Sequence, residues 1–201
     1  MVPWETSVIR ANESQEKLVL ASRSPRRAEI LKTVGWPYET IVAGIDESRA
    51  QSEEAASYVE RLAREKAAAV AARLERGLVL GADTVVVADG EILGKPRDDE
   101  DAKHMLKRLS GKWHEVVTGV ALIRAGDGKE ALVDHETTRV RFSEMSEEEI
   151  TWYVSTGETK DKAGAYALQG GAALFVEEIQ GDYFNIIGLP IRLVYELARK
   201  I

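Results

Sequence analysis

The stretch KLVLASRSPRRAEILKTVG, residues 17–35, joins a short apolar run to a helical pattern through a polar bend. Leu18-Val19-Leu20-Ala21 has the length and flanks of a buried strand. Ser24 stands where an N-cap belongs and Pro25 where the first helical residue belongs, because proline there loses only a donor that had no partner. Ile30, Leu31 and Val34 share one face, and Gly35 closes the helix. Such a strand, bend and helix aim unpaired N–H groups and the positive end of a helix dipole at the space above the strand, which is an anion site. Arg23, Arg26 and Arg27 crowd the same turn, where cations oppose the dipole, so local stability does not explain them. Guanidinium forks that dock phosphate do explain them. Arg23 alone reads as a solvated surface residue; the cluster reads as a phosphate site.

The chain of 201 residues is long enough for one domain or two tightly joined lobes. Its 27 Lys and Arg against 34 Asp and Glu leave a formal charge of −7, which argues against sequence-independent nucleic-acid binding but leaves room for a local basic pocket. Without cysteine there is no disulfide framework, thiolate nucleophile or cysteine metal site. No apolar run approaches the ~20 residues of a membrane span, and the first residues do not read as a leader. A cytoplasmic protein without membrane contact is the expectation. Residues 1–16, polar apart from Trp4, Val8 and Ile9, read as a loosely held N-terminal extension.

Further along, Tyr38 to Val42 alternates like a strand. In the irregular segment Ile45-Asp46-Glu47-Ser48, Asp46 reads as solvated and Glu47 as a candidate metal ligand. Ser52 to Gly77 reads as a long helix, capped by Ser52 and stopped by Gly77, with Tyr58, Leu62, Ala69, Val70 and Leu74 on its buried stripe. Lys66 lies close to that stripe, where a snorkelling lysine and a functional one are equally good readings.

The stretch LVLGADTVVVADGEILGKP, residues 78–96, places Gly81-Ala82-Asp83-Thr84 between two apolar runs. An Asp-Gly turn at residues 89–90 then returns the chain as a hairpin. A carboxylate in so apolar a strand is costly unless it is paired, binds metal or serves chemistry, and a functional Asp83 is favoured over a structural one. Gly81 admits close approach of another group to the backbone. Lys95, between Gly94 and Pro96, sits on a constrained turn beyond the return strand.

A helix from Asp98 or Asp99 to Leu109 follows, then a long hairpin of 113–124 and 131–142 with one wet face. Ser146 and Glu149 form a capping box for a helix ending near Gly157. Thr159 to Gly171 reads as a loop, Ala172 to Ile179 as a strand centred on Leu174-Phe175-Val176, and Pro190 opens a last helix. Interleaved strands and helices with two hairpins predict an α/β fold with a mixed sheet.

The histidines, His104, His114 and His135, have no ligand spacing, so zinc is disfavoured. Neither a Gly-x-Ser-x-Gly elbow nor a Walker A loop is present. Clustered cations with loop and strand carboxylates remain, the equipment of nucleotide phosphate chemistry.

These residues carry a resemblance. ASRSPRR at 21–27, Asp46-Glu47-Ser48, Gly81-Ala82-Asp83-Thr84, Gly94-Lys95-Pro96, Thr118-Gly119-Val120 and Gly188-Leu189-Pro190 resemble the Maf family of nucleoside triphosphate pyrophosphatases, in the family's order. The resemblance implies a Maf-like domain over 17–201 with an inosine triphosphate pyrophosphatase-like α/β fold. Such a fold has a mixed, elongated β-sheet flanked by helices, in two lobes around a central cleft. It implies hydrolysis between the α and β phosphates with a divalent cation, Mg or Mn, and Asp83 as general base.

The motifs are most similar to the dTTP/UTP branch, set apart by Arg26, Thr84 and Gln169, with Ser110-Gly111-Lys112-Trp113-His114 in agreement. The binding set that follows is Ser22, Arg26, Arg27, Lys66, Thr84, Lys95 and Gln169, with Glu47 on the metal, joined in one reading by Asp83. Gln169 offers a donor and an acceptor to the O4/N3–H edge of uracil or thymine. The family also suggests a dimer and a role in cleansing the nucleotide pool. The alternatives are a pyrophosphatase for another or modified nucleotide, and a non-catalytic nucleotide-binding regulator of septum formation.

Overall fold

The computed structural model describes residues 17–50, 52–126 and 131–201, so the extension 1–16 and the tip of the long hairpin lie outside the described residues. Among the described residues seven strands form one sheet: β1 Leu18–Leu20, β2 Tyr38–Thr40, β3 Gly77–Ala88, β4 Glu91–Leu93, β5 Trp113–Ala125, β6 Leu132–Phe142 and β7 Val176–Gln180. The helices are α1 Pro25–Thr33, α2 Ala55–Ala71, α3 Asp99–Leu109, α4 Glu147–Ser155, α5 Tyr183–Ile187 and α6 Ile191–Ala198. The order across the sheet is β2-β1-β3-β5-β6-β7, with β4 also on β3. β1 is parallel to β2 and β3, and the remaining pairs are antiparallel, so the sheet is mixed as expected. None of the described helices is long and apolar enough to cross a membrane.

The two apolar runs around residues 81–84 belong to one strand, β3, which pairs with β5 along residues 77–87. On its other edge β3 pairs with β1 at Leu78–Leu80 and with β4 at Val86–Ala88. Residues 81–85 lie between these two neighbours, and that opening in the sheet positions the site.

Alternation along the strand sends side chains to two different layers. Leu78, Leu80 and Ala82 join Leu18, Leu20, Ile30, Leu31 and the α6 residues Leu193, Val194 and Leu197 on one face. Val79 joins Val19, Ala21 and the α2 residues Ala63, Ala67 and Val70 on the other. A further cluster at the far end of β3 and β5 collects Val86, Leu93, Leu106, Phe142, Ile150, Tyr153, Tyr166 and Phe175. These clusters are thus built on shared long strands.

Glycine decides how close α2 comes. A Cβ on Gly81 would lie 2.1 Å from the Ala63 carbonyl oxygen, and one on Gly119 would lie 2.4 Å from that of Val59. The group that Gly81 admits is therefore the backbone of α2. That contact also corrects the expected stripe, since the buried residues of α2 are Val59, Leu62, Ala63, Lys66, Ala67 and Val70. Small residues face the sheet because larger ones would hold the helix away from it.

Other boundaries differ from the sequence reading. α2 starts after Glu54 and ends at Ala71, not at Ser52 and Gly77. Ser52 has φ of +63° and cannot serve as an extended N-cap, while Gly77, with φ of +124°, opens β3. Ser24 has an N-cap backbone but its side chain makes no capping bond; its N–H donates to Ser22 Oγ instead. Gly35 closes α1 as expected, with φ of +68°, its own N–H on the Lys32 carbonyl and that of Trp36 on Leu31. The stretch read as a strand from Ala172 is a 3₁₀ turn, Gly171–Phe175, before β7 begins. Burying Ala172 and Phe175, three apart, suits the 3₁₀ period and leaves Leu174 74% exposed.

Because the close α2 contact is backbone against backbone, no side-chain shift relieves a Cβ there. Gly81→Ala should destabilise the fold by ~3 kcal/mol, the upper part of the usual overpacking range. Gly44→Ala, where a Cβ meets nothing within 4 Å, should stay within about 0.5 kcal/mol. Urea unfolding of both variants checks the contrast.

Candidate active site

Above the opening in β3 lies a cleft of about 920 Å³, large enough for a nucleotide. Ser22, Arg26, Arg27, Glu47, Lys66, Asp83, Thr84, Lys95 and Gln169 all line it, so the structure brings together every residue singled out for binding, chemistry or metal. They come from the β1–α1 bend, the first turn of α1, the β2–α2 loop, α2, β3, the β4–α3 turn and the loop after α4.

Asp83 and Thr84 are neighbours in sequence but serve opposite faces. Asp83 points toward α2, where Lys66 Nζ lies 2.6 Å from its Oδ1. The same ammonium lies 2.9 Å from Glu47 Oε1. Lys66 is 8% exposed and held between two carboxylates, so its ammonium does not snorkel out to solvent. Partial burial works to raise the Glu47 pKa. The hydrogen bond and charge of Lys66, with Lys95 and Arg27 behind them, overcome this and hold it below the usual carboxylate range. Tyr58, whose hydroxyl donates to the Glu47 carbonyl oxygen at 2.8 Å, is pushed up by burial and by the charges of Asp83 and Glu47.

Thr84 faces the α1 side. Arg27 is buried there and donates from Nε to the Gly188 carbonyl oxygen at 2.7 Å, and from its two terminal nitrogens to Ser22 Oγ and Thr84 Oγ1. The Thr84 hydroxyl also meets Thr118 Oγ1 at 3.0 Å, and Thr118 donates to the Asn185 carbonyl oxygen. Arg27 thus ties the start of α1 to β3 and to the α5–α6 link. Burial lowers its pKa, against the field of Asp83.

Arg26 is half-buried on the cleft and has no hydrogen-bond partner among the described residues; burial lowers its pKa, with Asp161 acting the other way. Arg23 is exposed, and Asp46 is exposed with its carboxylate accepting from Ser48, both as read. Lys162, which the sequence reading missed, also lines the cleft, its pKa lowered by burial and by Arg26. It lies in a polar loop with no periodicity to single it out, so only the fold reveals it. A cleft with this many cations, in a chain of net charge −7, is built for a polyanion.

The donors suit a hard divalent cation. The Glu47 and Asp83 carboxylates converge within 3 Å of one cationic position, the one that Lys66 Nζ takes. The described residues hold a second acidic group, Glu60, Asp134 and His135, with ligand atoms within 4.8 Å of one another. The sequence spacing of the histidines missed it because Glu60 comes from α2. None of its members lines the cleft, and His135 Nδ1 is paired with Glu60 at 2.7 Å.

Known proteins resemble this chain to different depths. A dTTP/UTP pyrophosphatase of Symbiobacterium thermophilum is 52% identical over 185 residues, 92% of this chain and 94% of that protein. One of Hahella chejuensis is 55% identical over 183 residues, 90% of each. Among solved structures, the Staphylococcus aureus Ham1 protein shares the fold at 17% identity, with a TM-score of 0.52 over 92% of this chain and 99% of that one. A HAM1 protein from Coxiella burnetii matches at 13% identity and the same TM-score, over 93% of this chain and 100% of that one. The family model described as Maf-like protein matches residues 17–201, the whole described region, and the chain belongs to that family.

Proposed function

We propose that the protein is a nucleoside triphosphate pyrophosphatase that cleaves dTTP and UTP between the α and β phosphates, giving a monophosphate and pyrophosphate. The observation that carries this reading is Asp83, a carboxylate at the opening of β3, ion-paired with buried Lys66, in a cleft also lined by Arg26, Arg27, Lys95 and Lys162, which make no carboxylate ion pair among the described residues. Relatives about 50% identical over some nine-tenths of the chain carry that activity in their names. A regulator that only binds nucleotide would use the same cations, but it has no need of a carboxylate placed against them.

In this reading the triphosphate lies along the N-terminus of α1, bound by Arg26, Lys95, Lys162 and the helix N–H groups. Arg27 adds charge from behind while holding the bend in place. Asp83 takes the proton of the attacking water, with Lys66 orienting its carboxylate. Glu47 and Asp83 would hold a divalent ion, which when bound neutralises phosphate charge. The amide of Gln169, exposed on the cleft, faces the base.

Asp83→Asn keeps the shape and removes the base. Pyrophosphate release should fall by ~10²-fold or more, while nucleotide binding largely survives. Near-normal turnover in the folded variant would remove Asp83 from its role. The anion site is tested by a pair of substitutions. Arg26→Ala should raise KM by roughly 10-fold or more and lower kcat as well, through lost orientation, whereas Arg23→Ala should change either by no more than about 2-fold. Similar behaviour of the two would contradict the placement of the phosphates.

Base choice is read from turnover efficiencies. Uracil and thymine present an acceptor at O4 and a donor at N3, and cytosine presents the reverse. UTP and dTTP should be used well and CTP poorly, with Gln169→Ala eroding that preference more than it slows UTP cleavage. Equal use of CTP and UTP by the unmodified protein would leave Gln169 without this role.

A further inference from the structure

Gln169 sits on a turn that is fastened at both ends. The Gly170 N–H donates to the Ala167 carbonyl oxygen at 3.1 Å, closing a β-turn with Leu168 and Gln169 at its corners. The Ala167 N–H, where the chain enters the turn, donates to the Tyr153 hydroxyl at 3.1 Å. The Gly171 N–H, where the chain leaves it, donates to the Glu158 carboxylate at 2.8 Å. One acid therefore holds the exit of the turn, and a fully buried phenol holds its entrance. The fit is tight, for a Cβ on Gly170 would lie 2.1 Å from Glu158 Oε2.

The Gln169 side chain makes no hydrogen bond to the protein among the described residues, and an amide that rotates freely suits uracil and cytosine alike. Discrimination then depends on how firmly the backbone beneath it is placed. A binding group must be held to within ~0.5 Å to read a ligand edge, and supporting hydrogen bonds are what hold it. We infer that Glu158 is a positioning residue for base selection: by holding the exit of the turn from Ala167 to Gly171 it sets where the Gln169 amide meets the pyrimidine of a nucleoside triphosphate. This rests on the reading of Gln169 given above. Glu158 does not touch substrate, and its effect falls on discrimination more than on the phosphate chemistry.

The test is the ratio of kcat/KM for UTP to that for CTP, measured in the unmodified protein, Glu158→Ala, Glu158→Gln and Gly170→Ala. Glu158→Ala should lower the ratio by ~5-fold or more, chiefly through a raised KM for UTP. Glu158→Gln should retain most of the ratio, because its amide oxygen still accepts from the Gly171 N–H. Gly170→Ala keeps the acid but drives its carboxylate off the turn, and should resemble Glu158→Ala. Both activities come from one sample, so a poorly folded fraction cancels from the ratio, and Gly170→Ala decides if Glu158→Ala yields no active protein. A preference for UTP that survives in Glu158→Ala or in Gly170→Ala overturns the role of Glu158 while the reading of Gln169 stands. An unmodified protein without preference overturns the Gln169 reading, and this inference with it.

Discussion

The approach of α2 to the sheet governs much of this structure. The helix backbone rests on Gly81 and Gly119, where any side chain would strike it. Ala63 and Ala67 meet the sheet on the same face of the helix, and Lys66 lies between them in sequence. At that distance the lysine reaches Asp83 at 2.6 Å while its stem stays buried. A helix held farther off would leave a carboxylate in an apolar strand without its cation, and a buried charge left unpaired costs ~3–5 kcal/mol. Packing and electrostatics are therefore one arrangement here.

The period of a β-strand does the rest. Asp83 and Thr84 are consecutive, so they fall on opposite faces, one toward Lys66 and Glu47, the other toward Arg27 and Thr118. Both reach the same cleft because β3 has β1 beside its first part and β4 beside its last, with residues 81–85 open between them. An interruption in the hydrogen-bonded edge gives access to the middle of a strand otherwise covered on both faces.

The cleft collects cations that the rest of the chain outnumbers with acids. Burial and mutual repulsion lower the pKa of Arg27 and Lys162, and burial that of Arg26, with neighbouring carboxylates acting the other way. A polyanion is the kind of ligand whose charge would offset that burial and repulsion.

Much of this was legible in the sequence. The strand–bend–helix at residues 17–35, the cost of Asp83 in an apolar run, the Asp-Gly hairpin and the solvated state of Arg23 and Asp46 follow from local chemistry, since backbone preferences and charge costs act over a few residues. The motifs beyond them carried the family. What only the tertiary structure decided depends on groups distant in sequence. Lys66 could have snorkelled; it is buried because Asp83 and Glu47 arrive from other elements. Lys162 belongs to the cleft although nothing local singles it out. The run around Leu174 is apolar enough for a strand, yet its backbone turns as 3₁₀ because burial is available only to Ala172 and Phe175. Hydrophobic pattern states which residues can be buried, and the packing of the other elements determines which of them are.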